Sequence, residues 1–361
     1  MFLPYIENKM SQRDNHHEVE SSKIGNAANL ASTLPFDENL MHYTGRKPAK
    51  SLNRGHRSKN SFEVVYETTR GRMYRGDAAT VLSSAKLKSH IGKVQMIFTS
   101  PPFPLNRKKK YGNLQGEAYI RWLAGFAQVF RKLLKKDGSI VLELGNAWEP
   151  GKPVMSPLAL RALLAFLDAG RFNLCQQFVV YNPARLPSPA QWVNIDRIRV
   201  KDAFTFVWWM SPSERPKADN RKILVQYSDS MRRLLKTKKY NHGKRPSEHH
   251  IGEKSFLRDN NGAIPSNVIT LSNTASSDDY LKFCRKKQIE PHPARMPIGL
   301  PEFFIKFLTA PRNIVLDPFA GSNTTGAASE RLRRRWISIE ANSDYIKGSR
   351  GRFAKSSKKK K

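Results

Sequence analysis

Short apolar runs of the kind that form buried strands alternate with helix-like segments between residues 73 and 340. The strand-like runs occupy 73–75, 94–98, 140–144, 176–181, 203–210, 313–316 and 336–340. Apolar residues recur at helical spacing in 117–134, 158–169, 301–308 and 324–332. Strands that alternate with helices predict an α/β fold with an open, mostly parallel sheet and helices on both faces. In such a sheet ligands bind at the carboxyl ends of the strands.

The other segments differ from this pattern in composition. Residues 1–60 are rich in polar and basic side chains without a consistent apolar period, and they predict a flexible basic extension. Residues 354–361 predict a disordered lysine-rich tail. We expect 61–182 and 291–353 to be the two halves of one catalytic domain. The loop-rich, basic stretch 183–290, which includes the strand near 203–210, is the predicted target-recognition region.

The charge balance points to a polyanionic partner. The chain carries 63 Lys and Arg against 30 acidic residues, a formal net charge of +33. Solubility alone does not require such an excess, and nucleic acid is the polyanion that best accounts for it. A membrane-surface or ribosome-associated protein with basic tails is the alternative that composition leaves open.

Metal, redox and membrane functions find little support in the sequence. Cys175 and Cys284 are the two cysteines, and neither belongs to a pair with metal-ligand or redox spacing. The N-terminus lacks the pattern of a secretory signal, and no apolar run approaches the ~20 residues that a spanning helix needs. We therefore expect a protein of a reducing compartment that is neither secreted nor membrane-spanning and holds no metal.

The segment from Asp317 to Ser322 follows a strand-like run and precedes a helix-like one. Gly321 would let the backbone approach a ligand, and the helix N-terminus would offer amide groups to a carboxylate. Glu340 ends the next strand, where nucleotide-binding folds place an acid against ribose hydroxyls. Either feature alone is typical of an ordinary turn and an exposed acid, but together they predict a cofactor site.

The sequence from Ser100 to Phe103, Ser-Pro-Pro-Phe, also follows an apolar strand. Consecutive prolines make a rigid backbone without N–H donors, so its carbonyl groups point in fixed directions. The Ser100 hydroxyl and the Pro101 carbonyl could accept both N–H hydrogens of an exocyclic amino group and free its lone pair for attack on a methyl group. Phe103 could stack on an extracted base. In isolation, however, such a sequence is more often a turn or linker.

The early Thr-Ser-Pro-Pro-Phe and the late Asp-Pro-Phe-Ala-Gly-Ser together resemble the permuted, beta-class amino-methyltransferases of restriction-modification systems. The resemblance is to the PvuII-type, cytosine-N4-specific branch and runs from about residue 73 to 353. It implies a Rossmann-like methyltransferase fold with a seven-stranded sheet and circularly permuted motif order. It also implies S-adenosylmethionine as cofactor, S-adenosylhomocysteine as product, and double-stranded DNA as substrate, with the target base flipped out of the duplex.

The resemblance assigns roles residue by residue. The catalytic loop would be Ser100, Pro101, Pro102 and Phe103. The cofactor-binding residues would be Asp77, His292, Pro293, Ala294, Asp317, Phe319, Gly321, Ser322 and Glu340. The wall of the target-base pocket would be Tyr181 and Asn182. The chain differs from the wider family at Asn323, where glycine is usual, and Asn adopts a positive φ less freely than glycine.

Ser100, followed by two prolines and Phe103, is typical of cytosine-N4 enzymes, whereas adenine-N6 enzymes usually have Asp at that position. Adenine-N6 methylation stays open, as do an RNA or protein-amide methyltransferase and a DNA-binding relative without activity. Methylation of a ring carbon is disfavoured because neither cysteine lies in a Pro-Cys loop.

The expected setting follows from the substrate and the basic termini. We expect a monomer inside the cell and on DNA. The basic extension at 1–60 and the lysine-rich tail at 354–361 raise the hypothesis of nuclear residence and chromatin association in a eukaryote. A bacterial cytoplasm or nucleoid is the alternative.

Overall fold

The computed structural model describes residues 62–103, 114–272 and 278–353. The predictions of a flexible extension at 1–60 and a disordered tail at 354–361 lie outside these residues. No helix among the described residues is long and apolar enough to cross a membrane.

The described residues form eleven strands and ten α-helices. The strands are β1 Glu63–Glu67, β2 Gly71–Arg75, β3 Val94–Thr99, β4 Leu134–Leu144, β5 Asn173–Tyr181, β6 Phe204–Ser211, β7 Gly243–Lys244, β8 His250–Ile251, β9 Val268–Thr270, β10 Ile314–Asp317 and β11 Arg335–Glu340. The helices are α1 Ala78–Ser83, α2 Ala85–Lys88, α3 Gly116–Gly125, α4 Ala127–Leu133, α5 Leu158–Gly170, α6 Asp229–Thr237, α7 Asp279–Lys287, α8 Gly299–Leu308, α9 Thr324–Arg331 and α10 Ser343–Ser349.

Nine strands form one sheet in the order β1-β2-β11-β10-β3-β4-β6-β5-β9. Five neighbouring strands run parallel to one another, namely β2, β11, β10, β3 and β4. Strand β6 runs antiparallel to both of its neighbours, β4 and β5. All seven predicted strands are present. The sheet is wider than predicted because β1 and β9 extend its two edges. Both additions are short and half-exposed, so their apolar pattern is weak.

Helices cover both faces of the sheet, as predicted. Strand β3 is buried along its whole length, and its side chains alternate between the faces. Met96 and Phe98 lie in one apolar cluster with Phe304 of α8, whereas Ile97 lies in a second cluster with residues of α3, α4 and α5. A strand buried on both faces is typical of a parallel sheet.

The segment predicted as one helix at 117–134 forms two helices. The amide of Phe126 donates to the Leu123 carbonyl at 3.1 Å, a tightened turn that separates α3 from α4. Leu134 already begins β4. Within the predicted target-recognition region, whose boundaries at 183 and 290 stay predictions, α6 and α7 are helices that were expected to be loop.

The topology brings the two predicted loops to one edge of the sheet. Strands β3 and β10 are parallel neighbours, so Thr99 and Asp317 end side by side. The segments 100–103 and 318–323 therefore leave the sheet next to one another.

Candidate active site

A cavity of about 1000 Å³ opens at the carboxyl ends of the parallel strands. It brings together most of the residues that the sequence predicts as a site. These are Asp77, Ser100, Pro101, Pro102, Phe103, Asn182, His292, Ala294, Asp317, Phe319, Gly321, Ser322 and Glu340.

Two predicted site residues, Tyr181 and Pro293, do not line this cavity. Val180 lines it, and successive side chains of a strand point to opposite faces, so Tyr181 is turned away and is 39% exposed. Pro293 is exposed on the outer side of a bend whose neighbours, His292 and Ala294, face inward. That these two residues contact a ligand stays a prediction, and the cavity lining does not support it.

Asp317 joins the two loops. Its Oδ1 accepts hydrogen bonds from the Thr99 hydroxyl at 2.9 Å and the Phe319 amide at 3.1 Å. Its Oδ2 accepts from the Thr325 hydroxyl of α9 at 2.7 Å. Burial raises the pKa of Asp317 to about 6, although these hydrogen bonds favour its charged form. Asp317 thus holds the end of β3, the segment 318–323 and α9 in one arrangement. We call this segment the cofactor loop, after the role that the sequence predicts for it.

Glu340 at the end of β11 closes the cofactor loop from the other side. Its Oε2 accepts from the Gly321 amide at 2.7 Å, and its Oε1 accepts from the Asn342 amide at 2.8 Å. Burial raises the pKa of Glu340, and the nearby Asp317 carboxylate raises it further. The Gly321 amide is therefore bound to a carboxylate of the protein itself.

Asn323, at the position where the resemblance implies that glycine is usual, adopts the left-handed conformation, with φ of 55°. Its side chain compensates for this conformation. The Oδ1 atom accepts from the Gly326 amide of α9 at 3.1 Å and from the Ser338 hydroxyl at 2.7 Å. Its Nδ2 donates to the Tyr66 hydroxyl at 3.0 Å.

Ser322 is held by Arg352, near the end of the described chain. The guanidinium donates from Nε to the Ser322 carbonyl at 2.7 Å and from Nη2 to its hydroxyl at 2.9 Å. It also lies 4.7 Å from the ring centroid of Tyr280 in α7 and 3.6 Å from Asp278. Sequence reasoning missed Arg352, which resembles any other arginine of a basic C-terminus.

Ser100 hydrogen-bonds to Glu143, an acid of β4 that the sequence did not predict as a site residue. The hydroxyl of Thr205 in β6 donates to Glu143 Oε1 at 3.2 Å. Burial raises the pKa of Glu143, while these two hydrogen bonds lower it. Ser100 is therefore oriented by an acid on the neighbouring parallel strand, within the same cavity.

Phe103 packs against Gly145, just beyond β4. A side chain at Gly145 would overlap the ring, so glycine allows the ring to lie against the backbone there. The prolines and Phe103 form one wall of the cavity.

Asp77 and His292 line the cavity on the side of the cofactor loop. Asp77 caps α1, because its Oδ1 accepts from the amides of Ala79 and Thr80 at 3.0 and 3.2 Å. The His292 ring packs edge-on to Tyr345 at 4.4 Å between centroids, and a Cβ at Gly321 would lie 2.9 Å from His292 Nε2. Glycine at 321 therefore lets the His292 segment close over the cofactor loop.

An aromatic wall stands beside Phe319. Its ring centroid lies 5.4 Å from Trp122 and 5.3 Å from Phe126. Tyr119 belongs to the same wall, is 1% exposed, and has a hydroxyl without a hydrogen-bond partner among the described residues. Burial raises the pKa of this phenol. Because leaving a buried hydroxyl without a partner costs free energy, we expect it to hydrogen-bond to a polar atom of a ligand in the cavity.

The described residues contain no group of three or more His, Cys, Asp or Glu side chains that could hold a metal ion. The acids of the cavity are bound instead to amides and hydroxyls of the protein.

Comparison with known proteins gives concordant matches. A family model described as DNA methylase matches residues 94–350. The chain is 46% identical over 291 residues to Type II methyltransferase M.PvuII of Proteus hauseri, covering 80% of this chain and 85% of that protein. It is 26% identical over 281 residues to DNA adenine methyltransferase YhdJ of Escherichia coli (strain K12), covering 75% of this chain and 79% of that protein. A solved structure of a PvuII DNA methyltransferase (cytosine-N4-specific) matches with a TM-score of 0.65 and 39% identity, covering 81% of this chain and 90% of that chain.

The pKa of Asp317 predicts a pH-dependent contribution to stability. The native state holds a proton on Asp317 up to about pH 6, whereas the ordinary pKa of this carboxyl group, as in the unfolded chain, is 3.8. The contribution of Asp317 to the free energy of unfolding is therefore lost as pH rises through about 6. Relative to Asp317→Asn, wild type should lose about 2 kcal/mol between pH 4.5 and 7.5, since one pKa unit corresponds to ~1.4 kcal/mol. Urea unfolding at both pH values measures this difference, and a pH-independent difference would contradict the assignment.

Proposed function

This chain belongs to the DNA methylase family of N6- and N4-specific methyltransferases, and we propose that it transfers a methyl group from S-adenosylmethionine to cytosine N4 in double-stranded DNA. The observation that carries the proposal is the adjacency of the Ser-Pro-Pro-Phe loop and the cofactor loop in one cavity, through Thr99 and Asp317. The cytosine-N4-specific description of the PvuII structure supports the choice of base and atom.

The cavity fits the cofactor together with a nucleobase. Its volume of about 1000 Å³ is at the upper end of the roughly 300–1000 Å³ of small-molecule sites. Asp77, Phe319, Glu340 and the His292 segment would hold the cofactor, and the Tyr119 hydroxyl would donate to one of its polar atoms. When bound, S-adenosylmethionine supplies a methyl group on a positively charged sulfur. The acids that line the cavity suit that charge.

The residues of the catalytic loop prepare the amino nitrogen. Its lone pair is delocalised into the cytosine ring, so it is a weak nucleophile until both hydrogens are held. The Ser100 hydroxyl accepts one N–H and the Pro101 carbonyl accepts the other, which favours tetrahedral geometry at nitrogen. The lone pair would then form the N–C bond to the methyl carbon as the C–S bond of the cofactor breaks with its electron pair going to sulfur, leaving S-adenosylhomocysteine, and the nitrogen would release one proton.

Glu143 would receive that proton through Ser100, to which it hydrogen-bonds. The Ser100 hydroxyl passes its own hydrogen to the Glu143 carboxylate as it takes the hydrogen from nitrogen. Burial raises the pKa of Glu143, so the carboxyl group binds a proton more readily than an exposed acid would. The phenyl ring of Phe103, fixed against Gly145, stacks on the base and orients the nitrogen.

The setting in the cell is a further part of the proposal. We propose a monomer that acts on DNA. The relatives in restriction-modification systems favour the bacterial alternative, whereas nuclear residence and chromatin association rest on the basic termini alone and stay predictions. A fluorescent fusion that lacks residues 354–361 and still accumulates in a nucleus would remove the main support for import by the tail.

Product analysis tests the activity. Purified protein is incubated with mixed-sequence duplex DNA and S-adenosylmethionine, and the nucleosides are measured by mass spectrometry. We expect N4-methylcytosine from wild type and a rate lower by roughly 10²-fold from Ser100→Ala, since a positioned catalytic group contributes about 10²–10⁴-fold. Ser89→Ala is the matched control, because Ser89 is exposed and bonds only near its own helix end.

Other products would identify which part of the proposal fails. N6-methyladenine would leave the site standing and overturn the choice of base. Cofactor binding without any methylated base in DNA would favour an RNA methyltransferase or an inactive DNA-binding relative.

A further inference from the structure

A loop of twenty residues, 183–202, rises from the rim of the cavity, and we call it the rim loop. The residues at its two ends belong to the cavity wall, Asn182 and Arg185 on one side and Ala203 on the other. The Asn182 amide donates to the Ala203 carbonyl at 2.7 Å and brings the two ends together. The rim loop therefore borders the cavity.

The rim loop is firmly anchored to the protein. Lys201 Nζ donates to the carbonyls of Pro183 and Arg185 at 3.4 and 3.3 Å, which joins its two arms. The Trp192 ring packs edge-on against Trp148 at 6.4 Å between centroids. The Arg199 guanidinium lies 5.9 Å from the Trp148 ring centroid and donates to the Pro153 carbonyl at 2.8 Å. The loop thus has a defined shape before any partner binds.

Large apolar side chains of this anchored loop nevertheless face solvent. Leu186 is 80% exposed and Val200 is 86% exposed. Leu186 follows Arg185 and Val200 precedes Lys201, so the two lie on facing arms, next to the hydrogen bond between Lys201 and Arg185. Ile195 and Ile198 are also mostly exposed. Neighbouring exposed apolar side chains on a rigid element are typical of a surface that binds a partner.

The rim loop carries a net positive charge, which favours a polyanionic partner. It contains four basic residues, Arg185, Arg197, Arg199 and Lys201, against the acids Asp196 and Asp202. Apolar side chains among basic ones suit duplex DNA, in which phosphates flank a stack of apolar base faces. The position beside a cavity that would receive a base favours the same partner.

We propose that the rim loop enters the duplex where the target nucleotide leaves it, and that Leu186 fills the gap in the base stack. This inference rests on the proposed function, because it requires a base taken out of duplex DNA. Extraction costs the stacking and pairing of the target base. Burial of Leu186 between the neighbouring bases recovers part of that free energy, and an anchored loop loses little conformational freedom on insertion. Leu186 is chosen because it directly follows Arg185 of the cavity wall.

The test compares substrates that differ only in the pairing of the target base. Sequencing of DNA methylated by the wild-type protein locates a modified site. Two duplexes carry that site, one fully paired and one with an abasic position opposite the target cytosine. For Leu186→Ala we expect kcat/KM to fall roughly 10- to 100-fold on the paired duplex and less than about 3-fold on the abasic one, since the unpaired base is already easier to extract.

Two further variants control the comparison. Leu164→Ala removes a leucine that is 60% exposed on α5, away from the cavity, and should leave both substrates unaffected. Leu186→Met, which conserves volume, should restore most of the activity on the paired duplex. Equal loss on both substrates, or no loss on either, overturns the role of Leu186. Failure of the wild-type protein to methylate any DNA overturns the proposed function itself.

Discussion

The site depends on the hydrogen bonds that the buried carboxylate of Asp317 accepts. It accepts from the Thr99 hydroxyl at the end of β3, from the Phe319 amide in the cofactor loop, and from the Thr325 hydroxyl in α9. A carboxylate removed from water needs such hydrogen-bond donors, and each donor is in turn fixed in position by its bond to the carboxylate. Parallel pairing of β3 with β10 makes these bonds possible. One group therefore fixes the position of the segment 100–103, the predicted catalytic loop, relative to the cofactor loop.

The two sides of the cavity are supported by different parts of the chain. On the cofactor side, Glu340 binds the Gly321 amide and Arg352 binds Ser322, so the last described segment closes over the loop that begins at Asp317. On the side of Ser100, Glu143 of β4 hydrogen-bonds to Ser100 and is itself held by the Thr205 hydroxyl of β6. Burial raises the pKa values of Glu340 and Glu143 and lowers the pKa of Arg352. Shifted pKa values of this kind often cluster at functional sites.

The sequence was sufficient to predict the sheet and the meeting of the two loops, because apolar strands are readily recognised and parallel strands share one carboxyl edge. It was insufficient where the role of a residue depends on the direction or the partner of one side chain. Glu143 lies inside a strand-like run and is recognised only after β4 is placed beside β3. Tyr119 is one of two aromatic residues on the buried face of α3, and nothing in the sequence distinguishes its hydroxyl as a ligand contact. Tyr181 was assigned to the base pocket, but strand alternation turns it away while Val180 faces inward.

The most direct test of this account is to remove the Thr99 hydroxyl, since this side chain is buried and its hydrogen bond connects the loops. In Thr99→Val, we would measure the Kd of S-adenosylmethionine and the single-turnover rate of methyl transfer on the same preparation. A hydrogen bond to a charged group contributes about 1.5–3 kcal/mol, so both quantities should worsen by roughly tenfold or more while the fold is retained. A change in only one of them, or in neither, would contradict the claim that Asp317 holds the two loops as one unit.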